Sequence, residues 1–359
     1  MKSLGVVIPT RDSMALLPAH VESMRPWLDV ARQIVVVDSD SRDGTVDYLK
    51  QNLAGFPVQF LAHPPGLYQS WNHGISRIDS EFVYISTVGD SISRQGLLDL
   101  LAATDRLDCD VMVSPPGFID ERDRPLHRNR WPIHRILQTL PLTEPTRVDP
   151  LITFLLALNY LPFAILGSSA SNLFRTKVLQ RCPFPTDFGN NGDGAWGLFN
   201  ALHIQLGIFP ACISTFRQHR KPHRDPDPTH DADGRMIEHG MQLLQTHLEA
   251  HPSWRPRVAA PEVQRIFAAK QVAQRWRARL KEERRRLFPW SLNPIAWRAR
   301  HRRQQSQARC ETLVNELLNS PQSAFSREPR PNLRSLPEHP DTVCVTHALA
   351  AEADVVPGT

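Results

Sequence analysis

Acidic residues gather in this sequence where short apolar runs come to a stop. The run at residues 4–9 ends in Pro9-Thr10-Arg11-Asp12, and the run at 33–38 ends in Asp38-Ser39-Asp40-Ser41-Arg42-Asp43-Gly44-Thr45. A third run, at 82–86, is followed by Thr87-Val88-Gly89-Asp90-Ser91. A carboxylate at the end of a strand can do two kinds of chemistry here. Asp38 can accept hydrogen bonds from a nucleobase or a ribose. Asp90, facing the same crevice, can hold a divalent cation bound to a diphosphate, because Mg²⁺ and Mn²⁺ take one or two carboxylates plus phosphate oxygens. The same residue types also cap helices and turn chains. Asp43-Gly44 is suited to a turn and Thr45 to a helix start, so both uses remain open on spacing alone.

Positioning such groups requires a sheet. Apolar runs at 4–9, 33–38, 58–62, 82–86 and 111–114 alternate with stretches of helical length at 13–24, 45–52, 67–77 and 95–104. Several of the runs are rich in Val and Ile, as strands buried on both faces are. Strand–helix alternation predicts an α/β fold, a mostly parallel sheet with helices on both faces. Ligands of such sheets bind beyond the carboxyl ends of the strands, where the acidic clusters lie.

The 359 residues exceed one ordinary domain, and 41% hydrophobic with 22% charged is globular composition. Neither a low-complexity chain nor a membrane bundle fits. Residues 1–115 carry the strand–helix alternation and 116–224 a second, less regular part. Residues 225–317 read as a basic helical extension, entered through Asp225-Pro226-Asp227-Pro228, and 318–359 as a disordered tail. The net charge is +5, yet residues 254–309 alone hold sixteen Lys and Arg against three acidic residues, so the rest is net acidic. The apolar stretch 151–166 contains Asn159 and Pro162 and is shorter than a spanning helix requires, which predicts a buried core helix. Five scattered cysteines without a C-x-x-C offer neither a disulfide framework nor a zinc site, and the N-terminus lacks the pattern of a secretory signal. A cytoplasmic protein is expected.

Four motifs in register then carry a resemblance. Val7-Ile8-Pro9-Thr10, Val36-Val37-Asp38 through Thr45, Gly66-Leu67-Tyr68-Gln69-Ser70-Trp71-Asn72-His73-Gly74-Ile75, and Phe82-Val83-Tyr84-Ile85 with Gly89-Asp90 resemble the N-terminal half of family 2 glycosyltransferases. The resemblance implies a GT-A fold, with residues 1–115 its nucleotide-sugar-binding half and 116–224 its acceptor-binding half, and inverting transfer from a nucleotide-diphosphate sugar. It implies that Asp38 binds base or ribose, that Pro9 and Thr10 shape the same pocket with Asp12 nearby, and that Asn72 lies on the donor side. The family's Asp-x-Asp metal motif is reduced here to Gly89-Asp90, leaving Asp90 to meet Mn²⁺ or Mg²⁺ together with diphosphate oxygens. Asn190-Asn191-Gly192-Asp193-Gly194 resembles the acceptor-side turn, which makes Asp193 the catalytic base. Gly167 through Arg175 resembles the preceding strand and turn. Thr215-Phe216-Arg217-Gln218-His219 resembles the strand end returning to the diphosphate, with His219 a metal or phosphate ligand and Arg220 beside it.

The implied enzyme is a hexosyltransferase of polysaccharide biosynthesis acting on a glycan or lipid-linked acceptor. The basic segment 262–303, with apolar residues at mostly helical spacing, reads either as an amphipathic helix on an anionic membrane surface or as a helix packed on the catalytic domain. The first option would place the enzyme at the inner face of the membrane. No nucleic-acid module accompanies the arginines. The alternative from another class is a catalytically silent GT-A-like protein that binds a nucleotide or a partner. A nucleotidyltransferase would want a Gly-rich phosphate loop after the first strand, which Pro9-Thr10-Arg11-Asp12 does not supply.

Overall fold

The computed structural model describes residues 2–127, 130–161, 163–218, 232–285, 294–319 and 325–326. The chain opens with β1 (Leu4–Thr10), α1 (Leu17–Met24), β2 (Ala31–Asp38), α2 (Thr45–Asn52), β3 (Val58–Ala62), α3 (Leu67–Ile75) and β4 (Phe82–Ile85). It continues through β5 (Ser91–Ile92), α4 (Arg94–Arg106), β6 (Val111–Val113), β7 (Gly117–Ile119), α5 (Pro132–Thr139), β8 (Thr146–Val148) and α6 (Pro150–Tyr160). Then come β9 (Asn172–Arg175), α7 (Thr176–Arg181), α8 (Gly192–Asn200), β10 (Leu206–Ile208) and β11 (Ser214–Arg217). The last elements are α9 (Ala232–Ala250), α10 (Arg255–Val258), α11 (Pro261–Arg285), α12 (Pro294–Leu318) and β12 (Phe325–Ser326).

A nine-stranded sheet runs in the order β12-β8-β10-β6-β9-β4-β1-β2-β3. The pairs β1/β2, β2/β3, β1/β4 and β6/β10 are parallel, whereas β9 is antiparallel to both β4 and β6. Successive residues of β1 serve opposite cores. Val7 packs with Val35, Val37 and Ile85 on the face covered by α3, α6 and α8, while Val6 and Ile8 pack with Ile34, Val36 and Tyr84 under α1 and α4. Burial on both faces explains why the strand is continuously apolar rather than alternating. A small second sheet, β5-β11-β7, lies outside this framework and brings β11 beside the turn after β4.

The apolar stretch after residue 150 is α6, whose residues 151–160 are all buried. Asp149 caps its start, accepting from Leu151 N at 2.9 Å, and receives Arg257 at 2.7 Å. At its far end Lys270 Nζ and Gln307 Nε2 donate to Asn159 O at 2.9 and 3.1 Å. These last two donors sit on α11 and α12, which pair with each other and bury Val263, Ile266, Phe267, Cys310, Leu313 and Val314 in the core that contains α6. One side of the basic segment is therefore packed against the α6 core, with many of its arginines on the exposed side. Among the described residues no helix is long and apolar enough to cross a membrane. The Asp225–Pro228 linker, Leu287 and, apart from 318–319 and 325–326, the expected tail lie outside the described residues.

Candidate active site at the strand ends

The parallel register sets Thr10 beside Asp38 at the ends of β1 and β2. Thr10 Oγ1 donates to Asp38 Oδ1 at 2.9 Å, and Ser41 N donates to Asp38 Oδ2 at 3.0 Å. The two loops beyond are laced together. Asp12 N donates to Ser41 Oγ at 2.8 Å, Arg42 N to Asp12 Oδ1 at 2.9 Å, and Met14 N to Asp43 Oδ2 at 2.8 Å. Asp12 and Asp40 adopt positive φ angles of 43° and 59°, a conformation that Asp tolerates better than most side chains. Asp12 and Asp43 thus brace the crevice wall. Asp38 is held by its neighbours yet half-exposed, with Pro9 half-buried alongside. A carboxylate fixed in this way can still accept from a ligand, since each oxygen carries two lone pairs.

Asp90 is placed very differently. It is 6% exposed, with Oδ1 accepting from Arg217 N at 2.9 Å and Oδ2 from Ser168 Oγ at 3.3 Å. Its own carbonyl is taken by His20 Nδ1 at 3.0 Å. Gly89, at φ 100°, makes the reversal that turns the carboxylate inward. Arg217 closes over the turn, with Nε on Gly89 O at 3.3 Å and further bonds to Asp120 O and Asp123. Burial pushes the Asp90 carboxyl up to about 7, against the lowering effect of the Arg217 and Ser168 hydrogen bonds.

Asp90 as placed here is closed to a divalent cation by its burial. Both oxygens face protein donors, and the group favours its proton well above the usual carboxylate range. Among the described residues, no three His, Cys, Asp or Glu side chains are grouped as a metal site would require. The expectation of Asp90 as a cation ligand disagrees with this geometry, while His219 and Arg220 lie outside the described residues.

Asn72 is also engaged internally. Its Nδ2 donates to Phe184 O at 2.8 Å and its Oδ1 accepts from Phe184 N at 2.9 Å. This reciprocal pair ties α3 to the segment leading into α8, so Asn72 braces the site.

Asp193 opens α8, where a carboxylate is favoured by the helix dipole. Oδ1 accepts from Gly194 N at 2.7 Å. Burial pushes the carboxyl up to about 6, opposed by a hydrogen bond from the Tyr68 hydroxyl, which also reaches Asn190 O at 3.2 Å. Tyr68 comes from α3, and its ring lies so close that a Cβ on Gly192 would stand 2.5 Å from it and 2.5 Å from Pro185 O. Gly192 is required by that approach. Tyr68 and Ser168 stand within the motifs at 66–75 and 167–175 but have no expected role there. Both act through contacts across long stretches of chain, and the local signal in the sequence is the Gly192-Asp193 pair, a small residue directly before an acid.

Residues 5–170 match the family model described as glycosyl transferase family 2. Crystal structures of Staphylococcus aureus TarS 1–349 align with the chain. The complex with UDP does so at 15% identity and TM-score 0.47, covering 88% of this chain and 90% of that one. The complex with UDP-GlcNAc does so at 14% and 0.48, covering 88% and 91%. No curated protein matches the chain. The strand-end aspartates, the parallel register that sets Thr10 on Asp38, and the family match converge. The similarity to glycosyl transferase family 2 covers residues 5–170, under half of the 359-residue chain.

Proposed function

We propose that the protein is an inverting glycosyltransferase that moves a hexosyl group from a nucleotide-diphosphate sugar to a hydroxyl of a glycan or lipid-linked acceptor. The observation that carries this reading is Asp193, a carboxylate at a helix start whose proton affinity burial has raised to about 6. A sugar hydroxyl is a poor nucleophile near neutral pH, and a base with a pKa close to the working pH removes its proton best. Asp193 takes that proton as the acceptor oxygen attacks the anomeric carbon. The bond from that carbon to the diphosphate oxygen breaks, the nucleoside diphosphate leaves with the electron pair, and the anomeric configuration inverts. Asp38, steadied by Thr10 and Ser41, accepts from the base or ribose of the donor, with Pro9 beside it. Stabilisation of the departing diphosphate falls to basic residues that directly follow β11 in sequence, His219, Arg220 and Lys221.

The test is release of nucleoside diphosphate from a panel of UDP-, GDP-, dTDP- and CDP-sugars. Selective turnover of one donor supports transfer. Selective binding without any turnover, with acceptor glycans supplied, would favour a silent nucleotide-binding protein.

A membrane-facing role for α12 is the second part of the proposal. Trp297 and Ile295 are 69% and 47% exposed, beside exposed Arg298, Arg300 and Arg302. Indole and guanidinium groups side by side suit an anionic headgroup layer. Sedimentation with anionic but not zwitterionic vesicles, reduced in Trp297→Ser, is the expected result.

A further inference from the structure

A shallow groove of about 430 Å³ lies where β7, α5, the end of α6 and β11 meet. Its floor is aromatic. Trp131 packs on Phe216 with ring centroids 4.6 Å apart and on Phe118 at 5.0 Å, while Phe163 stands 64% exposed at the rim. Large apolar side chains left open to water beside polar ones mark a binding surface. The polar lining consists of two arginines, Arg130 and Arg135, and two amides, Gln138 and Gln218, with no carboxylate among the lining residues. Arg135 pairs with Glu311 at 3.0 Å from outside the lining and remains half-exposed.

One short segment connects this groove to buried Asp90 and half-buried Asp193. Phe163 lies in the groove, and Ile165 and Leu166 pack against Gly197, one helical turn beyond Asp193 on α8. Gly167 lies under the Trp131 ring, and Ser168 donates to Asp90. On the other side Phe216 immediately precedes Arg217, whose N–H holds Asp90. The groove is thus built into the frame that positions the reaction centre, and it is separate from the Thr10–Asp38 wall.

We propose that this groove is the acceptor subsite and that it takes an acidic saccharide unit, one carrying a carboxylate or a phosphate. The inference rests on the glycosyltransferase reading and names the acceptor class for it. The apolar C–H face of a pyranose lies on the Trp131, Phe216 and Phe163 rings. The amides of Gln138 and Gln218 meet its hydroxyls, and the guanidinium groups of Arg130 and Arg135 meet the anion, a pairing arginine makes with two parallel hydrogen bonds. The volume lies in the range of ordinary small-ligand sites, enough for a short piece of a longer glycan.

The test is a glycan array probed with the full chain, carrying neutral, carboxylated and phosphorylated oligosaccharides, followed by titration of the best binders. Binding confined to acidic saccharides is expected. It should weaken at least tenfold in Arg135→Gln and in Phe163→Ser, two exposed positions where melting curves confirm the fold. The carboxylated and phosphorylated arms distinguish the two sources of charge. Absence of binding to any acidic saccharide, equal binding of neutral ones, or full binding by both variants would overturn the proposal. Nucleotide-sugar binding and turnover by the wild type are read separately. Turnover without acidic-glycan binding defeats only the subsite, whereas acidic-glycan binding without donor turnover defeats the transferase reading and leaves a saccharide-binding groove.

Discussion

The turn after β2 and the turn after β4 each end a parallel strand near an aspartate, one strand on either side of β1, and they put that aspartate to opposite uses. Asp38 is half-exposed and receives Thr10 and Ser41 at 2.9 and 3.0 Å while still lining the crevice. Asp90 is buried, receives Arg217 N and Ser168, and is pushed up to about 7. The difference lies in what arrives from elsewhere in the chain. Beyond β2, the neighbouring loop supplies short bonds that leave the carboxylate facing outward. Beyond β4, Gly89 reverses the chain and β11 closes over it. A strand-end carboxylate becomes a ligand group or a clasp according to its cover, and the residue type alone does not decide between them.

The largest effect should come from Asp193, half-buried where Asp90 is buried and the base in the proposed reaction. Asp193→Asn is expected to reduce turnover by about 10²–10⁴-fold, the usual range for loss of a general base, with nucleotide affinity little changed. The wild-type rate should fall as pH drops below about 6, where Asp193 becomes protonated. A rate indifferent to Asp193→Asn would remove the base from the account.

Next in size is Asp38→Ala. Losing a hydrogen bond to a charged group costs about 1.5–3 kcal/mol, so donor affinity measured by calorimetry should weaken by about 10–100-fold. Wild-type affinity in the variant would mean that both strand-end aspartates are structural.

The smallest effect concerns stability. A carboxyl with a raised pKa in the folded state holds its proton to higher pH there than in the unfolded chain. The folded state therefore loses stability from this group as pH climbs from about 4 to about 7. Asp90→Asn lacks that loss and can keep both hydrogen-bond positions, so its melting temperature relative to wild type should rise across this window. A flat difference would show that Asp90 is not buried in the manner described.

The N-terminal half was largely legible because its signals are local. Runs of Val and Ile buried on both faces marked β1 to β4, and the expected helix at 45–52 coincides with α2. The expected helix at 13–24 begins only at Leu17, because Ser13 N is drawn to Thr45 Oγ1 and the preceding loop is laced to β2's. Illegible were the contacts that decide the site. Asp90 meets Arg217 across 127 residues, and Asn72 meets Phe184 across 112. The apolar side of the basic segment is legible at helical spacing, but its partner is not, because the contacts of Lys270 and Gln307 with Asn159 O span more than a hundred residues.

The most direct test of the contrast between the two turns is nucleotide affinity, with and without Mn²⁺, in wild type, Asp38→Ala and Asp90→Asn. Asp38→Ala should weaken binding, and any effect of Mn²⁺ in the wild type should persist in Asp90→Asn. A Mn²⁺-dependent gain in affinity that disappears in Asp90→Asn, in a protein that still melts cooperatively, would contradict it and return Asp90 to the diphosphate.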